Sequence, residues 1–245
     1  MSMNPASSTG GAPKLRLYEL ALQNGRSASP FVWRIRYALA HKGVEFESEY
    51  LGFREIPQRF GGRFKTVPII EHGETSMNES WDIAEYIDRS FPGRPLFTSP
   101  AEKASVRLID QWFTQEVLRR LFRLYILDVH NAAHPEDRPY FRQSREQGFL
   151  RGRTLEDFTA NRAALVPEVR EALKPLRAHL ATFKFLGGSE PNYADYIVLG
   201  TFIWVFSVGT LPCLKADDGL RSYLDRGFDL YGGLARDSRM PLSFE

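Results

Sequence analysis

The chain has 245 residues, 43% of them hydrophobic and 25% charged, which is apolar material enough for two modest cores or one large one. Its formal net charge of +2 gives no electrostatic case for binding nucleic acid or a membrane surface. A lone cysteine, Cys213, excludes an intrachain disulfide and a cysteine-built zinc site, and it fits a reducing, cytoplasmic setting.

Met1–Pro13 is small and polar, with paired glycines and no apolar stretch, so residues 1–13 read as a disordered tail and not as a signal peptide. Leu15 and Leu17 alternate with Arg16, and Tyr18 continues a short strand. After the loop Gln23–Ser27, Phe31, Ile35, Ala38 and Leu39 recur at helical spacing and predict an amphipathic helix closed by Gly43. Phe46, Ser48 and Tyr50 share one face of a second strand, parallel to the first, which makes a βαβ unit. Arg54–Lys65 reads as a connection. Val67–Ile70 is expected to be a third strand, interrupted by Pro68, and Thr75–Asn78 a fourth, joined by the turn His72-Gly73-Glu74. Asn78 is expected to cap a helix whose core face is Ile83, Ala84, Tyr86 and Ile87.

That order, β-α-β then β-β-α, is thioredoxin-like, and we assign it residues 14–92. Phe91-Pro92-Gly93-Arg94-Pro95 breaks the pattern, and residues 93–99 read as a linker. Residues 100–245 show helical periodicity and no convincing strand, so the fold class is an α/β thioredoxin-like domain followed by an all-α domain. Ser99, Pro100 and Glu102 form a helix start with an N-cap, an N1 proline and a capping box. Val106, Ile109, Trp112, Phe113, Val117 and Leu121 continue that helix. Thr154 and Asp157 mark another start, Pro175 a kink, and Asn192 the cap of an apolar helix ending near Val208. The apolar run Tyr196–Val208 is too short to span a bilayer.

Three short clusters can carry chemistry. Ser29-Pro30 opens the first helix, whose free amides and partial positive charge favour an anion, and the Ser29 hydroxyl can donate to a bound thiolate. A free thiol has a pKa near 8.5, and lowering it by about 2 units stabilises the thiolate by about 2.7 kcal/mol. Taken alone, Ser29 reads as a plain N-cap serine, Ser27 is the competing hydroxyl, and Arg34 is either a support for the anion or a surface arginine. Thr66-Val67-Pro68 places a proline in an apparent strand; a cis Val67–Pro68 bond explains it and turns the Val67 backbone toward a peptide-like ligand. Glu79-Ser80 begins a helix, where Ser80 and free amides can hold a carboxylate and Glu79 an ammonium group. The bland alternative for Glu79 is a first-turn acid serving its own helix dipole. Phe31, Trp112 and Tyr125 are candidates for an aromatic substrate pocket. His130 and His134 flank a loop, and no metal site is expected from them.

In this order and spacing, Ser29, Val67-Pro68, Glu79-Ser80 and Asn192-Tyr193-Ala194-Asp195 resemble the glutathione transferases. Within that family Ser29-Pro30-Phe31-Val32-Trp33-Arg34, Tyr125-Ile126-Leu127-Asp128, Ser144-Arg145-Glu146-Gln147, Thr154-Leu155-Glu156-Asp157 and Leu224-Asp225-Arg226-Gly227-Phe228-Asp229 resemble the bacterial glutathione-dependent β-aryl etherases and related fungal transferases. The resemblance implies that Ser29 donates to the glutathione sulfur, Val67 pairs with the cysteinyl backbone, and Glu79 and Ser80 hold the γ-glutamyl end. Lys65, with Arg63 as second choice, would meet the glycine carboxylate, and Asp195 would staple the central helix. It further implies attack on a small electrophile, with cleavage of a β-aryl ether as one form, and a homodimer. A non-catalytic ligand-binding protein on the same scaffold and a general detoxifying conjugase or peroxidase are the alternatives.

Overall fold

In a computed structural model, the structure describes residues 14–27 and 29–236; the Met1–Pro13 tail lies outside the described residues. The N-terminal half is a four-stranded sheet in the order β2-β1-β3-β4, built from β1 (Leu15–Leu20), β2 (Phe46–Leu51), β3 (Ile69–His72) and β4 (Thr75–Asn78). β1 and β2 run parallel, with Leu15 opposite Phe46, and are joined by helix α1 (Pro30–Lys42). β3 is antiparallel to both β1 and β4. The third strand starts two residues later than expected, because Val67–Pro68 lies outside the ladder that begins at Ile69. Arg54–Lys65 is not a bare connection: α2 (Glu55–Arg59) forms within it and buries Ile56.

α1 is bounded as its sequence dictates. Ser29 is the N-cap in extended conformation, Pro30 occupies N1, and Gly43 closes the helix at φ 66°, a left-handed conformation that costs glycine little. α3 (Ser80–Ser90) departs from expectation at its start. Asn78 ends β4, and the N-cap is Glu79, held at φ 70° with no side-chain cap bond. The left-handed region is unfavourable for a residue with a Cβ, so this backbone is fixed by its surroundings and not by preference.

The remaining helices are α4 (Pro100–Phe113), α5 (Arg119–Ala132), α6 (Arg138–Ser144), α7 (Leu155–Thr159), α8 (Val166–Ala172), α9 (Lys174–Leu180), α10 (Tyr193–Val208) and α11 (Arg221–Gly233). Wider π-type turns at Thr114–Leu118 and Arg145–Phe149 join α4 to α5 and extend α6. At the head of α4 the Ser99 hydroxyl accepts from the Glu102 amide as expected, but Glu102 reaches back to the amide and hydroxyl of Thr98, not of Ser99. Thr154 caps α7, and α8 and α9 meet at Leu173 beside Pro175.

α10 is apolar on every side and buried along its whole length, the composition of a helix surrounded by protein. Its N-terminus is a capping box: the Asn192 side chain accepts from the Ala194 amide, and the buried Asp195 carboxylate accepts from the amides of Leu186, Gly187 and Asn192. α10 packs against α1 through Gly200, where a Cβ would stand 2.6 Å from the Pro30 carbonyl. The core helix of the second half thereby sets the position of the helix that presents Ser29.

Candidate active site

A cleft of about 470 Å³ opens between the sheet half and the helices. Four loop-to-element junctions of the first half line one side: Ser29–Phe31 at the head of α1, Lys65–Pro68 before β3, Glu79–Ser80 at the head of α3, and Leu20 at the end of β1. The facing wall is aromatic and aliphatic, from Phe122, Ile126 and Val129 of α5, Tyr140 and Phe141 of α6, Phe149, and Trp204 of α10. One side is therefore rich in backbone polar groups and the other apolar, a division suited to a polar ligand lying beside a hydrophobic one.

Ser29 is 6% exposed, and its Oγ accepts a long bond, 3.3 Å, from the Val32 amide. That cap uses a lone pair of the hydroxyl and leaves its proton to donate into the cleft. The cap and the donor readings of Ser29 are thus compatible. The competing hydroxyl does not reach the cleft: Ser27 is buried, pairs across to Ala21, and accepts the Trp33 indole at its carbonyl.

The Val67–Pro68 peptide is cis, as the sequence led us to expect. No hydrogen bond to another described residue occupies the Val67 amide or carbonyl. Glu79 is exposed at the cleft edge. Ser80 is buried at the first position of α3, and its carbonyl accepts from the Tyr193 hydroxyl at 2.9 Å, which ties this junction to α10. Lys65 lines the cleft and forms no ion pair with a described residue. Arg63, the second choice, is turned away: it donates to the Ser76 carbonyl and lies over the Phe64 ring.

Three further expected site residues are elsewhere. Arg34 is neither a surface residue nor an anion support: it is 3% exposed, bonds Asp110 of α4 at 2.9 Å, and its guanidinium lies over the Phe31 ring at 4.6 Å. Tyr125 is fully buried behind the wall, where its hydroxyl donates to the Leu211 carbonyl and burial raises its pKa. Trp112 borders a separate depression with Glu116, Arg120 and Glu168. Of the aromatic candidates only Phe31 lines the cleft. On α5 the lining residues are Phe122, Ile126 and Val129, spaced i, i+4, i+7, and Tyr125, at i+3, lies at the margin of the same stripe but is sealed from the cleft. That spacing is readable in the sequence, but the apolar stripe of α5 is broad, Tyr125 belongs to it as well, and the pattern alone does not tell wall from core.

The sequence reading attached no role to Phe53, Ile56, Thr66, Tyr140, Phe141, Ser144, Arg145, Phe149 or Trp204, all of which line the cleft. Trp204 sits on the uniformly apolar α10, where no periodicity distinguishes one face. Cys213 is buried and its thiol is pushed up to about 11 by burial, so it is an inert packing group. No described helix is long and apolar enough to cross a membrane.

The family model for the glutathione S-transferase N-terminal domain matches residues 28–90, and that for the C-terminal domain matches residues 104–210. Glutathione transferase GST 23 of Zea mays is 32% identical over 183 residues, which cover 73% of this chain and 68% of the maize protein. A probable glutathione S-transferase of Glycine max is 26% identical over 211 residues, covering 84% of this chain and 78% of that one. Among solved structures, a glutathione S-transferase of Ceriporiopsis subvermispora in complex with glutathione superposes with a TM-score of 0.77 at 21% identity, covering 94% of this chain and 100% of its own.

Proposed function

The chain belongs to the glutathione S-transferase family, and from that premise we propose that its cleft binds glutathione and directs the sulfur at an electrophilic, aromatic-bearing carbon. The observation that carries the reading is the position of the Ser29 hydroxyl: it stands at the head of α1, with an uncommitted proton, in one cleft with Val67, Glu79 and Ser80.

The residues present fit the tripeptide. The unpaired Val67 backbone can exchange hydrogen bonds with the cysteinyl residue, as a strand edge does. Ser80 and the first amides of α3 suit a carboxylate, and the exposed Glu79 suits the neighbouring ammonium. Lys65 suits the second carboxylate. Ser29 then lies where the sulfur must be, and its O–H, aided by the head of α1, lowers the thiol pKa. The tripeptide supplies the nucleophilic sulfur. A carbon–sulfur bond forms, the bond from that carbon to its leaving group breaks, and the leaving group departs with the electron pair.

In a β-aryl ether the leaving group is a phenolate and the product a glutathione thioether. The aromatic wall of Phe122, Phe141 and Trp204 supports an aromatic substrate of this kind. We further propose a cytoplasmic homodimer, on family grounds, and an N-terminal glutathione-binding domain over residues 14–92 with residues 100–245 as the substrate domain. Retention on glutathione-agarose followed by assays with an aryl halide, a hydroperoxide and a model β-aryl ether tests the function. Conjugation with ether cleavage supports the etherase form, and aryl halide or peroxide turnover alone marks a general detoxifying enzyme. Retention without any turnover overturns the catalytic reading.

A further inference from the structure

The helical side of the cleft contains one feature that an aromatic pocket does not need. Arg145 lines it, on the π-type turn that follows α6. Its guanidinium lies over the Phe141 ring at 4.9 Å, and Nη1 donates to Ser144 Oγ at 3.3 Å. No described carboxylate lies within ion-pair distance of it. Several other arginines of the helical half are paired. Arg142 spans Glu146 and Glu156, Arg162 sits on Asp128, and Arg177 grips Asp218 with two bonds. Arg145, like Arg138, Arg151 and Arg153, has no counter-ion among the described residues, but of these four it alone lines the cleft.

That arrangement is costly unless something answers it. A partly buried guanidinium beside aromatic rings loses hydration and gains only a small Coulombic return, from Tyr140, so burial lowers its pKa. Stacking on Phe141 holds the plane of the group and leaves Nε and Nη2 without a protein acceptor among the described residues. Two donors on one edge of a fixed plane match the two oxygens of a carboxylate. In the glutathione reading the tripeptide's own charges are met from the other wall, by Lys65, Ser80 and Glu79. Nothing in that assignment calls for Arg145.

We propose that Arg145 is a specificity residue that selects aromatic electrophiles carrying a carboxylate, holding that group while the reacting carbon faces the sulfur beside Ser29. The inference rests on the function proposed above and names the substrate class for that site.

A matched pair of substrates tests it: 4-chloro-3-nitrobenzoate and 4-chloro-3-nitrobenzamide, which differ in charge and little in shape. In each, the glutathione thiolate bonds to C4 and chloride leaves with the carbon–chlorine electron pair, so no other reactant is needed. For the wild type we expect kcat/KM to favour the benzoate, and in Arg145→Met the benzoate-to-benzamide ratio to fall by about tenfold, the loss of one charge-assisted contact. Arg145→Lys keeps the charge but not the fork, and should restore part of the ratio. Calorimetric titration of each compound into the protein without glutathione supplies a second readout, in which Arg145→Met weakens the benzoate selectively. If neither compound nor any member of the panel above is turned over but this binding difference holds, the function proposed above fails and the selectivity of Arg145 stands. Equal handling of the two compounds by the wild type, or an unchanged ratio and unchanged benzoate affinity in Arg145→Met, overturns it.

Discussion

Replacing Ser29 by alanine removes two interactions at once, and the two can be separated. The first is the cap: Oγ accepts from the Val32 amide at 3.3 Å, and losing such a cap costs about 1 kcal/mol of stability. The second is the proposed hydrogen bond to the bound sulfur. A bond to a charged acceptor contributes about 1.5–3 kcal/mol, equivalent to about 1–2 pKa units of the thiol. If the thiol of the wild-type complex titrates near pH 6.5, that of the variant should titrate near pH 8, and turnover at pH 6.5 should fall roughly ten- to thirtyfold. The sign follows from the proton count: a raised pKa leaves less thiolate at any pH below it. The deficit should therefore shrink as pH rises past the variant's pKa. Thiolate absorbance of the bound tripeptide, followed against pH, reads the shift directly, and kcat/KM over the same range reads its consequence. Ser29→Gly is the control, since glycine at an N-cap costs only a few tenths of a kcal/mol relative to serine. Alanine and glycine variants should then differ in thermal stability and agree in thiol pKa. A bound thiol that titrates at one pH in wild type and Ser29→Ala, with turnover within about twofold, would show that Ser29 is a cap and nothing more.

The remaining expectations concern the scaffold that holds the cleft. Gly200→Ala places a Cβ 2.6 Å from the Pro30 carbonyl, so it should destabilise the protein by about 1–3 kcal/mol in urea melts and lower turnover as well, because the atom it displaces adjoins Ser29. Asp110→Ala strands the buried Arg34 guanidinium and should cost about 3–5 kcal/mol, whereas Arg34→Met with Asp110→Leu, which removes both charges, should recover much of it. His41 is held neutral, accepting from the Tyr196 hydroxyl at Nδ1 and donating from Nε2 to the Pro95 carbonyl, and burial lowers its pKa to about 4. The unfolded chain binds that proton at a higher pH, so stability should fall as pH drops from 6.5 toward 4, by on the order of 2 kcal/mol, and His41→Gln should flatten the slope of the urea midpoint against pH.

Local chemistry was legible wherever neighbouring residues supplied it. Ser29-Pro30 before a helical repeat marks a capped start, Gly43 an end, and Asn192 the cap of the apolar helix, and the structure has all three. The four strands followed from alternation and a tight turn, with their pairing set by the βαβ and hairpin connections. The polar side of the cleft was readable for the same reason, since its groups sit at the ends of those elements. Where local signals competed, the reading slipped by one or two residues: Glu79 takes the N-cap in place of Asn78, because β4 runs on through Asn78 to pair with Ile69.

The apolar side was decided by packing alone. The two rings of α5, Phe122 and Tyr125, are three residues apart on one side of the helix, and α10 is apolar all round, so composition gives each ring the same reason to be buried. Which rings face the cleft depends on the rotation of each helix against its neighbours. For α10 that rotation is set in part by the close approach of Gly200 to the Pro30 carbonyl; Phe122, Ile126 and Trp204 line the cleft while Tyr125 is sealed behind them. Arg34 and Arg145 make the same point with charge. Both follow aromatic segments in the chain, yet one meets Asp110, 76 residues away, and the other meets no acid among the described residues. A counter-ion so far along the chain is brought near, or withheld, only by the fold.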